Sequence, residues 1–205
     1  MELLFATTNP HKVEELGAVL AAQGFSIVGL SGVERQLPEP EEHQPTFMGN
    51  AELKALYYAR ETNKVCLADD SGLVVDALGG EPGVRSARYA GVGGDRAARD
   101  AANNEKLLDA LSGVEGDARG ARFVCALCCA SPGGGIVATA EGFLEGRIGE
   151  AARGENGFGY DPLVVLEDGR TAGELSAAEK NLVSHRARAG LVIAPKLRAE
   201  FRGRG

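Results

Sequence analysis

No apolar run in this chain approaches the roughly 20 residues that a helix needs to span a bilayer. The opening residues, Met1-Glu2-Leu3-Leu4-Phe5-Ala6, have no basic stretch ahead of the apolar one, so no secretory signal is expected. These absences point to a cytoplasmic protein with no membrane partner. Positive charge is also short: 22 Lys and Arg against 29 Asp and Glu give a formal net charge of −7. That balance argues against the broad basic surface that duplex nucleic acid requires, and no nucleic-acid partner is expected. A small anionic ligand needs only a few local cations and stays open. Cysteine is scarce. Cys125 and Cys128 have CxxC spacing, with Cys129 beside them and Cys66 far away, but no second pair at zinc spacing follows. Buried, reduced thiols are the expectation. Internal repeats, low-complexity segments and the GxxxxGK[ST] run of a P-loop are all missing.

What is present is an ordinary globular composition, 44% hydrophobic and 25% charged, in 205 residues. That length suits one domain, residues 1–205, built as two small lobes. Leu3 to Thr7 reads as a strand, followed by a helix with Val13, Leu16, Val19 and Leu20 at helical spacing and Gly24 closing it. Asn9 and Pro10 fit the N-cap and first position of that helix. Phe25 to Leu30 alternates like a strand. After the acidic, proline-rich loop around Glu41 and Glu42, Thr46 can cap a second helix. Val65 to Leu78 reads as two strands around a turn. A helix near Ala97 to Leu111 precedes strands at Arg122 to Ala130, Ile136 to Phe143, Arg147 to Glu150 and Leu163 to Leu166. Ser176-Ala177-Ala178-Glu179 forms a capping box opening a helical region to about Phe201. The mix predicts an α/β fold: an elongated mixed central sheet flanked by helices, in two lobes with a cleft between them.

Asp69-Asp70-Ser71-Gly72 carries the strongest chemical signal, because it directly follows the apolar run Val65-Cys66-Leu67-Ala68. Two adjacent carboxylates at the end of a buried strand repel each other and are costly to desolvate. A divalent cation offsets both costs; a polar turn is the plainer alternative. Thr7-Thr8-Asn9-Pro10-His11-Lys12 places hydroxyls, an amide and an ammonium at a helix N-terminus, a phosphate-binding arrangement if it is more than an N-cap. Asn50 and Lys54 share a helix face, which offers an amide and an ammonium to a phosphate chain. In Asn156-Gly157-Phe158-Gly159-Tyr160-Asp161, the glycines let the backbone approach a flat ligand on which Phe158 or Tyr160 stacks, while Asp161 contacts a base edge or fixes the loop. Ser184 and His185 are neighbours in sequence and do not face each other on a helix, which excludes a serine-hydrolase triad.

In this order, these stretches resemble the Ham1/inosine triphosphate pyrophosphatase family, and most closely its bacterial dITP/XTP pyrophosphatases. The resemblance covers Thr-x-Asn-x-x-Lys at 7–12, Glu41-Glu42 before Thr46-Phe47, Asn50-Ala51 with Lys54, and Ala68-Asp69-Asp70-Ser71-Gly72-Leu73. It continues through Gly79-Gly80, Pro82-Gly83, Ser86-Ala87-Arg88-Tyr89, Phe158-Gly159-Tyr160-Asp161-Pro162, and Glu179-Lys180 with Ser184-His185-Arg186. It implies hydrolysis of non-canonical purine nucleoside triphosphates (dITP, ITP, XTP) to monophosphate and pyrophosphate with Mg²⁺, by a homodimer. Asp70 would be general base and metal ligand, with Glu42, or its neighbour Glu41, as the second carboxylate and Asp69 supporting the metal. Thr7, Thr8, Asn9, Pro10, His11, Lys12, Lys54 and Ser71 would hold the triphosphate. Phe158, Gly159, Tyr160, Asp161, Lys180, His185 and Arg186 would surround base and sugar, His185 and Arg186 facing the 6-oxo group. Gly49 stands where the family commonly has an acidic residue, which would loosen that helix's start. On an unbroken α-helix Lys180 would lie about 140° from His185 and about 120° from Arg186, so a break between Lys180 and His185 is predicted. The Maf-like nucleotide pyrophosphatases, a related alternative, are disfavoured by the Phe-Gly-Tyr-Asp and Ser-His-Arg elements.

Overall fold

The computed structural model describes residues 1–33 and 37–202. Its elements run β1 (Glu2–Phe5), α1 (Pro10–Ala21), β2 (Ser26–Gly29), α2 (Phe47–Thr62), β3 (Cys66–Val75) and α3 (Arg96–Ala110). They continue as β4 (Gly120–Ala130), β5 (Ile136–Ile148), β6 (Val164–Val165), α4 (Ala177–Val183) and α5 (His185–Phe201). The strands form one six-stranded sheet in the order β2-β1-β3-β4-β5-β6. β1 pairs in parallel with both β2 and β3, whereas β5 and β6 pair antiparallel. The expected α/β class with a mixed sheet is what the chain adopts. No helix among the described residues is long and apolar enough to cross a membrane.

The described chain groups into two compact units. The first comprises residues 1–70, 125–142 and 184 onward; the second comprises 71–124 and 143–183. In the first, both faces of β1, β3 and β4 are covered, and this explains why these strands read as continuous apolar runs rather than alternating ones. Side chains alternate between two cores. Leu3, Phe5, Leu67, Cys125, Leu127 and Cys129 pack with Leu16 and Leu20 of α1 and Ile193 and Leu197 of α5. Leu4, Ala6, Cys66, Ala68, Ala126 and Cys128 pack on the other side with Ala51, Ala55 and Tyr58 of α2. All four cysteines are free thiols buried in these cores, as expected. The α5 helix lies so close to β5 that a Cβ on Gly142 would collide with the backbone of His185 and Ala189.

The second unit has its own core, in which Leu73, Val75, Phe123, Leu144 and Ile148 meet Leu107 of α3, Leu111 at its C-cap and the ring of Tyr160. Buried Arg119 braces it. Its guanidinium donates to the carbonyls of Ile148, Gly149, Leu111 and Val114 at 2.7–3.2 Å, satisfying the last carbonyls around the α3 C-terminus.

Several local expectations need correction. β3 is one continuous strand and not two around an Asp-Ser-Gly turn. β5 likewise runs unbroken from Ile136 to Ile148, Gly146 being required where a Cβ would stand 2.6 Å from the Val165 carbonyl oxygen. The α1 cap is Ala22, with Gly24 in the turn beyond at φ 85°. Gly49 leaves the start of α2 capped: Thr46 Oγ1 accepts from the Gly49 N–H itself at 3.1 Å. The break predicted between Lys180 and His185 is there: α4 ends at Val183, and Ser184 caps α5 by accepting from the Ala187 N–H.

Candidate active site

Because β3 continues through Asp69 and Asp70, strand alternation sends the two carboxylates to opposite faces of the sheet. Asp69 follows Leu67 onto the α1/α5 side. It accepts from Lys12 Nζ at 2.9–3.0 Å and from the Arg186 guanidinium at 3.4 Å. Arg186 has no exposed surface and also donates to Glu15 Oε2 at 2.6 Å. Burial alone would raise the Asp69 pKa, but Lys12, Arg186 and Lys54 outweigh it and hold the carboxyl well below its usual range. Asp70 follows Ala68 onto the α2 side. Its Oδ2 accepts from Asn50 Nδ2 at 3.0 Å, and its Oδ1 lies 3.8 Å from Lys54 Nζ. Here burial prevails, with Glu42 adding to it against the opposing pull of Lys54, and the Asp70 pKa is raised.

Lys54 is the hub on that side. Its Nζ donates to Glu42 Oε1 at 2.5 Å while facing Asp70. Burial would lower the Lys54 pKa, but Asp69, Asp70 and Glu42 hold it raised and the ammonium charged. Of the two acidic neighbours it is Glu42 that reaches this cluster; Glu41 is exposed, and its carbonyl lies 2.9 Å from His43 Nδ1. Glu15, Glu42, Asp69 and Asp70 thus stand against Lys12, Lys54 and Arg186, four negative charges against three positive. Glu42 and Asp70 converge on one ammonium with a negative charge in excess, a donor set of the hard oxygen type that suits a divalent cation.

The Thr7–Lys12 stretch divides its labour. Asn9 is the α1 N-cap, its Oδ1 accepting from the His11 N–H at 3.1 Å, and Thr7 Oγ1 accepts from the Asn9 N–H at 3.2 Å. Thr8, Pro10 and His11 are exposed around this helix N-terminus. His185, buried, begins α5. Ser71, half-buried, follows Asp70 along β3.

In the second unit, the loop after Gly157 is tied to α4. Asp161 is buried and accepts from Lys180 Nζ at 2.5 Å and from the Phe158 N–H at 2.8 Å, so it fixes the loop. Tyr160 is the loop's anchor: its ring is in the core and its hydroxyl donates to the Ser86 carbonyl at 2.8 Å. Phe158 is half-buried, with Lys180 Nζ 4.8 Å from its ring centroid. Gly157 stands at φ 78°, and a Cβ there would strike the Asp161 carboxylate.

Sequence reasoning missed Glu15, three residues after Lys12 on α1 and therefore on the same face. It also missed Arg96, Asp100 and Asn104 of α3, which touch the Phe158–Gly159 segment. It offered Asn50 and Lys54 to a phosphate chain, whereas both are turned to carboxylates.

Comparison with known proteins gives this arrangement a family. A dITP/XTP pyrophosphatase of Bacillus subtilis (strain 168) is 47% identical over 187 residues, covering 91% of this chain and 91% of its own. One of Anaeromyxobacter sp. (strain Fw109-5) is 46% identical, covering 91% of this chain and 92% of its own. The solved structure of the Staphylococcus aureus Ham1 protein superposes with a TM-score of 0.83 at 36% identity, covering 98% of this chain and all of that one. A nucleoside-triphosphatase/dITP/XTP pyrophosphatase from Mycobacterium abscessus gives 0.74 at 43% identity, over 95% of this chain and 100% of that one. The model of the Ham1 family matches residues 3–194, and the chain belongs to that family.

Proposed function

We propose that this protein is a nucleoside triphosphate pyrophosphatase that hydrolyses dITP, ITP and XTP to the monophosphate and pyrophosphate, removing non-canonical purines from the nucleotide pool. The observation that carries the reading is Asp70: a buried carboxylate with a raised pKa, held by Asn50 and set beside Lys54 and Glu42. A carboxylate raised in this way is a better proton acceptor than an exposed one.

Asp70 takes a proton from a water molecule whose oxygen attacks the α-phosphorus. The bond between the α-phosphorus and the bridging oxygen breaks, and pyrophosphate leaves with that oxygen. Lys12 and Lys54 offset the charge that builds on the departing group. The α1 N-terminus adds backbone N–H groups, and Thr7, Thr8, Pro10, His11 and Ser71 complete the triphosphate contacts. Glu42 and Asp70 would hold Mg²⁺, which when bound neutralises phosphate charge. Asp69 supports this set by fixing Lys12. Arg186, with its guanidinium between Glu15 and Asp69, is assigned first to holding Asp69. Phe158 offers the purine a ring face, Asp161 and Lys180 hold its loop, and His185 supplies a donor for the 6-oxo group. A site built on donors to that oxygen leaves them unpaired when an amine replaces it.

Product analysis tests the reaction class. ITP with Mg²⁺ should give inosine monophosphate and pyrophosphate in equal amounts; orthophosphate with inosine diphosphate would overturn the reading. The homodimer is part of the same proposal, and light scattering should return twice the mass of the 21.3 kDa chain.

A further inference from the structure

Helix α3 carries Arg96, Asp100 and Asn104 at four-residue spacing, which sets them in one row along the helix. Two of them take hold of a single residue of the Phe158–Asp161 loop. The Gly159 N–H donates to Asp100 Oδ2 at 2.9 Å, and Asn104 Nδ2 donates to the Gly159 carbonyl oxygen at 3.0 Å. Gly159 sits at φ 62°, in the left-handed region, so the backbone here has little preference of its own to hold it in place. Arg96 completes the row with its guanidinium carbon 4.4 Å from the Phe158 ring centroid and its Nε 3.6 Å from Asp100. The neighbouring Asn103 does different work. It accepts from the Ala90 N–H and donates to the Ser86 carbonyl, bracing another loop.

We propose that Asp100 and Asn104 are positioning residues for purine selection. By clamping both backbone polar groups of Gly159, they set where the Phe158 ring and the Asp161 carboxylate stand, and Arg96 adds its charge to that of Lys180 at that ring. The inference rests on the reading that this loop receives the base. Discrimination between an oxo group and an amine depends on groups held within a fraction of an ångström, so a loosened loop loses selectivity before it loses the phosphoryl chemistry carried elsewhere.

The test compares ITP with ATP, as kcat/KM, for Asp100→Ala, Asn104→Ala, Asp100→Asn and Phe158→Ala, with Tm measured for each. Removing one clamp bond should raise the KM for ITP and lower the ITP-to-ATP ratio by about tenfold, with kcat changing less. Asp100→Asn keeps an oxygen acceptor for the Gly159 N–H and should restore the ratio. If Phe158→Ala lowers the ratio while Asp100→Ala and Asn104→Ala do not, the clamp proposal is overturned and the base-loop reading stands. If Phe158→Ala leaves the ratio unchanged, the base-loop reading fails and the clamp proposal with it. A fall in Tm and kcat at constant ratio also overturns the proposal, leaving α3 a purely structural support.

Discussion

Arg186 shows how a residue's role follows from what surrounds it. Its guanidinium is fully buried between Glu15 and Asp69, and Asp69 in turn holds Lys12. Removing one partner of a buried ion pair leaves uncompensated charge in a low dielectric, which costs more than the pair itself is worth. Arg186→Met should therefore lose about 3–5 kcal/mol in urea unfolding; a loss within experimental error would remove the network from the account. Asp70→Asn separates chemistry from folding. It removes the proposed proton acceptor and should lower kcat by about 10²–10⁴ while nucleotide binding by calorimetry survives; wild-type turnover would end the assignment. The Asp-Asp pair was visible in the sequence as costly, but its resolution was not. The pair is split by strand alternation, and the cations that neutralise it come from positions 12, 54 and 186. No local pattern reports such long-range partners.

Helix N-termini were the most legible features, because capping is local chemistry. Asn9, Thr46 and Ser176 each make the bond their residue type suggests, and the Ser176–Glu179 box is reciprocal. Strand continuity was the least legible. Asp-Ser-Gly in β3 carries turn chemistry, yet the buried strand persists because α1, α2 and α5 satisfy its carboxylates. Here tertiary partners override a local preference. The packing of α5 on β5 rests on Gly142, where a methyl group would meet the backbone of His185 and Ala189. Gly142→Ala should cost at least about 1–3 kcal/mol and lower activity, because the backbone that carries His185 must move; unchanged stability and activity would show the contact to be slack. The buried thiols of β4 give a pH prediction. Burial pushes Cys125, Cys128 and Cys129 up to about 12 from an ordinary 9.0. The folded state thus disfavours their thiolates, so this contribution to stability is complete below pH about 9 and is lost as pH rises toward 12. Native protein at pH 8 should resist iodoacetamide, with all four thiols reacting in guanidinium.

For the whole molecule, the first unit gathers four carboxylates and three cations around β3, and the second holds an aromatic loop by α3 and α4. On the proposed function, phosphoanhydride chemistry and base recognition fall to different parts of one chain, so substitutions in the two should have different kinetic signatures. The most direct test of the central claim is pyrophosphate release from ITP, XTP, dITP, ATP, GTP and dTTP, with Mg²⁺ and with EDTA. Turnover should require the metal and favour the 6-oxo non-canonical purines over ATP by about 10²-fold or more. Preference for ATP, GTP or dTTP, or turnover undiminished by EDTA, would contradict it.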